Sequence, residues 1–257
     1  MNITDKIMTH IEDHIAFVTL NRPDVHNAFD ADMIAMLHDS YQSLSGNDDV
    51  IAIVLRGNGK SFSAGADLHW MKESIDFSEA QNEDDAVKLA KMLRSIYNCP
   101  KATIACIQGA AMGGGMGLAA CHDIVIAQDT AIFALSEVKL GLIPATIAPY
   151  VIRAIGARHA KRFAQTGERF AAAKAYDIGL VHEVAANAKD MDEKLQTLIK
   201  TLRQNGMNAM RESKQLVSDY AYAPLDDDTL QDSARRIAKI RTTDEAQTRL
   251  KKFLEKK

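Results

Sequence analysis

A chain of 257 residues, 47% hydrophobic and 25% charged, has the balance of a globular protein with one large domain, or one domain and a small appendage. Its net charge of −3 gives no support for a nucleic-acid partner. Three cysteines without a C-x-x-C pair indicate neither a disulfide framework nor a structural zinc site, so a reducing cytoplasm is expected. Residues 1–6 are polar and lack the apolar core of a signal peptide. The longest apolar stretch, 141–152, is broken by Pro144 and Pro149 and is too short for a bilayer, so no membrane partner is expected.

Residues 14–20 are β-branched and apolar and read as a strand, ended by Asn21-Arg22-Pro23. Residues 27–45 carry helical spacing at Met33, Ile34, Leu37, Tyr41 and Leu44. Residues 50–55 are a continuous apolar run, as in a strand buried on both faces. A loop rich in Gly and Ser follows to Asp67, then a short helix over 68–72. Residues 74–85 are acidic and polar without a period, a loop or a surface helix, before a helix over 86–97 that stops at Cys99-Pro100. Strands are expected at 102–107, 124–127 and 132–135, with a short helix over 118–121.

This alternation predicts an α/β fold with mostly buried strands. From about residue 147 the pattern turns helical. Met191, Leu195, Leu198, Ile199 and Leu202 form one apolar stripe; Met207, Met210, Leu216, Val217 and Tyr220 form another. Thr242-x-x-Glu245 fits a capping box for the final helix, and the lysines at 251, 252, 256 and 257 read as a solvated face.

The most informative stretch is Gly109-Ala110-Ala111-Met112-Gly113-Gly114-Gly115-Met116-Gly117, between a strand and a helix. Three bare glycines at a helix start leave peptide N–H groups open to a ligand where partial positive charge gathers. Gly115-Met116-Gly117-Leu118-Ala119-Ala120 fits G-x-G-x-x-A, but Gly115 lies eight residues after Ile107, and Asp129 follows only fourteen residues on, so the dinucleotide reading is weak. The other reading is an oxyanion hole, which needs two converging N–H groups. A second small-residue loop, Ser61-Phe62-Ser63-Ala64-Gly65-Ala66-Asp67-Leu68, also follows a buried strand; its plain reading is a turn with Asp67 at a helix start.

No G-x-S-x-G elbow and no metal spacing among the eight histidines is present, so neither a serine nucleophile nor a metal is expected, and His69 and His122 read as structural or surface residues. Glu137 follows a short apolar strand. Burial there would raise its pKa and make it a usable acid or base, while a helix-capping role is the plain alternative.

Five stretches together resemble the crotonase superfamily, the enoyl-CoA hydratase/isomerase family. They are Leu20-Asn21-Arg22-Pro23 with His26-Asn27-Ala28; Phe62-Ser63-Ala64-Gly65-Ala66-Asp67-Leu68; Ile107-Gln108-Gly109 with Met112-Gly113-Gly114-Gly115; Cys121-His122-Asp123; and Glu137 with Leu140-Gly141-Leu142-Ile143-Pro144. The resemblance implies a crotonase-like spiral of ββα units over 1–190 and a helical trimerisation region over 191–257, giving a homotrimer or a dimer of trimers. It implies an acyl-CoA thioester substrate, with coenzyme A part of the substrate and no separate cofactor. Ala66 and Gly114 would supply the oxyanion-hole N–H groups and Glu137 the catalytic carboxylate. His26, Ala28, Ala64, Asp67, Leu68 and Met112 would border the coenzyme A, and Phe253 and Lys256 would reach coenzyme A in a neighbouring subunit.

Two-glutamate hydratases of the family carry one glutamate at the position of Gly117 and another at that of Glu137; here only the second is present. Ala145 stands where dehalogenase-like members carry aspartate. The segment 135–149 is similar to methylglutaconyl-CoA hydratase-like bacterial members assigned to leucine degradation. The resemblance therefore implies a hydratase acting on a 2-enoyl-CoA, branched or carboxylated. The alternatives are an isomerase with Glu137 as sole proton shuttle and a catalytically silent binding member of the same fold.

Overall fold

The computed structural model describes residues 6–255. In chain order its strands are β1 (Ile7–Glu12), β2 (Ile15–Leu20), β3 (Ala52–Gly57), β4 (Ala102–Ile107), β5 (Ala110–Met112), β6 (Ile124–Gln128), β7 (Ile132–Ala134), β8 (Phe170–Ala171) and β9 (Glu183–Ala185). The helices are α1 (Ala31–Ser45), α2 (Leu68–Glu73), α3 (Glu79–Tyr97), α4 (Gly114–Cys121), α5 (Ala148–Thr166), α6 (Ala172–Asp177), α7 (Ala188–Arg203), α8 (Met207–Tyr220), α9 (Asp227–Arg241) and α10 (Asp244–Leu254).

Six strands form one sheet in the order β1-β2-β3-β4-β6-β9, antiparallel at β1–β2 and parallel elsewhere; β5, β7 and β8 form a smaller sheet. Alternate residues of each central strand enter different cores, because successive side chains point to opposite faces. Ala16, Val18, Ile53, Leu55, Ala105 and Ile107 join one cluster with α1, α3, α4 and α5. Ile15, Phe17, Ala52, Val54, Ile104 and Cys106 join the other, closed by Leu195 and Ile199 of α7. Burial on both faces explains the unbroken apolar runs.

Several elements depart from the sequence reading. Helix α1 buries the five residues expected of it but begins at Ala31, because Asp30 caps it by accepting from the Met33 N–H at 2.9 Å. Asn27 is instead buried in a turn at φ 54, its amide donating to the carbonyls of Asn58 and Ser61. The acidic segment 74–85 lacks a period because it holds a turn and the exposed first turns of α3, started by a capping box of Ser78 and Gln81. Helix α4 starts within the glycines rather than at Leu118. The capping box expected from Thr242 is corrected: Thr243 caps α10, and Glu245 accepts from the Asn208 and Ala209 N–H groups at the start of α8. The boundary expected between 190 and 191 falls inside α7, which packs on the sheet, whereas α8, α9 and α10 bury none of their residues fully. Among the described residues no helix is long and apolar enough to cross a membrane.

A buried polar pair ties α1 to the far end of α4. His122 Nδ1 lies 2.6 Å from the Leu118 carbonyl, so it carries the proton, and Nε2 accepts from the Tyr41 hydroxyl at 2.8 Å. Burial lowers the His122 pKa to about 4. The unfolded chain protonates this histidine below pH 6.5 while the folded chain waits until about pH 4, so this contribution is intact above 6.5 and is lost as pH falls toward 4. Urea unfolding across that range is expected to show falling stability, and His122→Asn to flatten it. Tyr41→Phe, which strands Nε2, is expected to lose roughly 1–3 kcal/mol at pH 7.5.

Candidate active site

Strands β3 and β4 are parallel neighbours, so the loops that leave them run side by side. The Ser63 N–H donates to the Ala110 carbonyl at 2.9 Å, and the Met112 N–H to the Ser63 carbonyl at 3.0 Å. On the other flank the Phe29 N–H donates to Gly65 at 2.7 Å and the Asp67 N–H to Phe29 at 2.8 Å. This parallel bridge uses the groups on either side of Ala66 and turns the N–H of Ala66 itself the other way. The N–H of Gly114 lies in the first turn of α4, where the helix offers no carbonyl.

Gly65 makes the approach possible. It adopts φ +92, and a Cβ there would stand 2.8 Å from the Met112 carbonyl oxygen and 3.7 Å from the Gly114 nitrogen. The 61–68 loop and the positive end of α4 are thus brought together, a place where backbone N–H groups would suit an oxyanion. Phe29 packs so closely on Gly114 that a Cβ there would lie 2.5 Å from its ring.

Glu137 opens a short turn after β7. Its Oε1 rests over the bare backbone of Gly113, 3.0 Å from where a Cβ would be. Its Oε2 is buried and has no hydrogen-bond partner among the described residues. Burial pushes its pKa above the usual carboxylate range, against the pull of a bond from its own N–H. The side chain caps no helix. It is a partly buried carboxylate set against the backbone at the start of α4, suited to moving a proton on carbon or water.

The structure brings His26, Ala64 and Met112 onto one groove of about 500 Å³, together with Ser136, Lys139 and Arg169. Ala28 is buried and offers its carbonyl to Arg22 at 2.6 Å. Asp67 caps α2 by accepting from the His69 N–H at 2.8 Å, and pairs with Arg22 at 2.9 Å. Burial alone would raise its pKa, but these bonds hold it below the usual range. Its carboxylate is therefore engaged inside the loop. Leu68 is 84% exposed beside it, Phe253 lies on the exposed face of α10, and Lys256 falls outside the described residues.

Two residues went unassigned in the sequence. Arg22 clamps the 61–68 loop to the 26–30 turn, and its charge opposite Asp67 was the available signal. Ile147 covers Gly117, and nothing in an apolar run marks such a contact. A larger cavity, about 890 Å³ between α8 and the core, is lined by His122, Asp123 and Lys214 and by none of Ala66, Gly114 or Glu137.

The family model described as enoyl-CoA hydratase/isomerase matches residues 10–257. The fold is similar to that of a solved enoyl-CoA hydratase from Shewanella pealeana, with TM-score 0.94 and 41% identity over 98% of this chain and 94% of that one. A solved enoyl-CoA hydratase/isomerase from Marinobacter aquaeolei gives TM-score 0.92 and 31% identity over 98% of this chain and 97% of that one. A trans-2-decenoyl-[acyl-carrier-protein] isomerase from Streptococcus mutans is 28% identical over 223 residues, 85% of this chain and 83% of the relative. With the architecture and the family match in agreement, the chain belongs to the enoyl-CoA hydratase/isomerase family and has the crotonase fold.

Proposed function

We propose that this chain adds water to a 2-enoyl-CoA through a thioester enolate. The observation that carries the reading is the dry carboxylate oxygen of Glu137, unpartnered and set against the glycine backbone that starts α4. The thioester oxygen would sit on the N–H groups of Ala66 and Gly114. Ionised Glu137 would take a proton from water as the water oxygen bonds to C3. The C2–C3 π pair moves into the enolate, whose negative oxygen the two donors stabilise, one such donor contributing roughly 3 kcal/mol. Glu137 then returns the proton to C2 and the thioester carbonyl re-forms, so one water is added and the carboxylate is regenerated.

His26, Ala28, Ala64, Leu68 and Met112 are the proposed border of the coenzyme A, which belongs to the substrate; Asp67 would act there by holding its loop. A branched or carboxylated acyl chain fits the similarity of segment 135–149 to methylglutaconyl-CoA hydratase-like members. The Shewanella pealeana chain being called an enoyl-CoA hydratase supports hydration. We also propose a homotrimer or dimer of trimers formed through the C-terminal helices, with Phe253 and Lys256 serving a neighbour. Supporting it are apolar residues left exposed there, such as Leu230 at 66% and Phe253 at 60%.

A second reading is isomerisation, in which Glu137 carries a proton between C2 and C4. It is favoured by Gly117, which supplies no second carboxylate where two-glutamate hydratases carry one, and by the Streptococcus mutans relative named as an isomerase. Product mass after incubation with crotonyl-CoA, 3-methylglutaconyl-CoA and a 3-enoyl-CoA separates the two: hydration adds the mass of water and isomerisation adds nothing. Binding without any conversion would support a silent member instead.

Glu137→Gln is expected to cut kcat by roughly 10²–10⁴ while leaving acyl-CoA binding intact, and undiminished turnover would remove Glu137 from the mechanism. Because the carboxylate must be ionised to accept the first proton, the wild-type rate is expected to fall as pH drops through the raised pKa of Glu137, above the ordinary 4.5. Gly65→Ala, strained at φ +92 and pressed on Met112, is expected to lower kcat by roughly 10²–10³ through displacement of one donor, with circular dichroism showing a folded chain.

A further inference from the structure

Gly117 lies one helical turn beyond Gly113, its N–H donating to the Gly113 carbonyl at 3.0 Å. Gly113 precedes α4 at φ +50, whereas Gly117 lies within the helix. Glu137 covers the first. Ile147, ten residues further along the same segment, covers the second: a Cβ on Gly117 would overlap Ile147 Cγ2 and stand 2.8 Å from its Cβ. Ile147 is 2% exposed, and its carbonyl accepts from the N–H groups of Tyr150 and Val151 as α5 begins. The overlapping atoms sit on a branched Cβ next to the backbone, so the side chain cannot swing aside as the tip of a long one would.

We propose that Ile147 is a specificity-determining residue: by filling the space over Gly117 it bars a side chain at that position, one turn from the glycine that Glu137 covers, so that proton transfer at the acyl chain runs through Glu137 alone. The pairing of Ile147 with Gly117 is steric, and its chemical consequence rests on the enolate reading above.

The test is a cycle of Gly117→Ala and Ile147→Ala, with thermal unfolding as the first readout. Gly117→Ala alone is expected to lower Tm by about 2–10 °C through overpacking in a chain of this size. In the Ile147→Ala background the same change is expected to cost nothing or to raise Tm, since the added methyl enters vacated space. An equal loss in both backgrounds would overturn the pairing. The second readout is exchange of the C2 hydrogens of butyryl-CoA with D2O, which needs an enolate but neither hydration nor isomerisation. Wild type is expected to show one ionisation in its pH–rate profile, and Gly117→Glu combined with Ile147→Ala to show two. A folded double variant with an unchanged profile would overturn the proposal. Exchange and coupling without conversion of any enoyl thioester would sustain it while defeating the hydratase reading.

Discussion

Ser63 and Ala111 face each other beyond the ends of β3 and β4, extending the parallel pairing of those strands into the two loops that follow. Hydrogen bonds from Ser63 to Ala110 and from Met112 to Ser63 hold the loops at sheet spacing. At that spacing Cβ atoms have no room: one on Gly65 would meet Met112, one on Gly114 would meet Phe29, and one on Gly115 would lie 2.6 Å from the Ser63 carbonyl oxygen. The glycines therefore permit a backbone contact, and the contact sets the relation between the Ala66 and Gly114 peptides. The preorganisation that a proposed oxyanion seat needs comes from the continuation of a sheet, which is stiffer than a free loop.

The same contact explains why so much polar material nearby is structural. Arg22 reaches the Ala28 carbonyl and Asp67, and Asn27 bridges Arg22, Asn58 and Ser61. Each of these groups is paired, as partly buried polar groups must be to avoid a desolvation cost. Glu137 differs, with one buried oxygen unpartnered among the described residues, a state shared there by His38 Nδ1 on α1. A buried carboxylate oxygen without a partner is destabilising, and this is the feature that supports the acid–base role proposed for Glu137.

What the sequence made legible follows from the physics of each element. The α1 stripe could be read because Met33, Ile34, Leu37, Tyr41 and Leu44 all meet one core at helical spacing. The central strands could be read because both their faces are buried. Strand β1 escaped because it is an edge strand that buries only Ile7, and β5 because three residues inside a glycine stretch carry no period; it is defined by pairing with β7, distant in the chain. The glycines and Glu137 stood out because their types are unusual where they occur. Ile147 did not, because an isoleucine in an apolar run looks the same whether it packs on leucine or fills the space over a glycine.

The C-terminal helices are joined by a different kind of interaction. Glu245 of α10 caps α8, Arg236 of α9 pairs with Asp219 and Asp232, and Lys214 pins α8 to Asp123 at 2.7 Å. Exposed pairs of this sort are screened by solvent and contribute little each. Helix α7 gains its place through Leu195 and Ile199, but α8, α9 and α10 have no such anchor, and Leu225, Leu230, Leu250 and Phe253 stay exposed. Capping and ion pairs fix the angles between these helices without supplying much burial. The proposed assembly through this region would add the apolar contact that α8, α9 and α10 do not obtain within one chain, on a surface whose shape the polar links already hold.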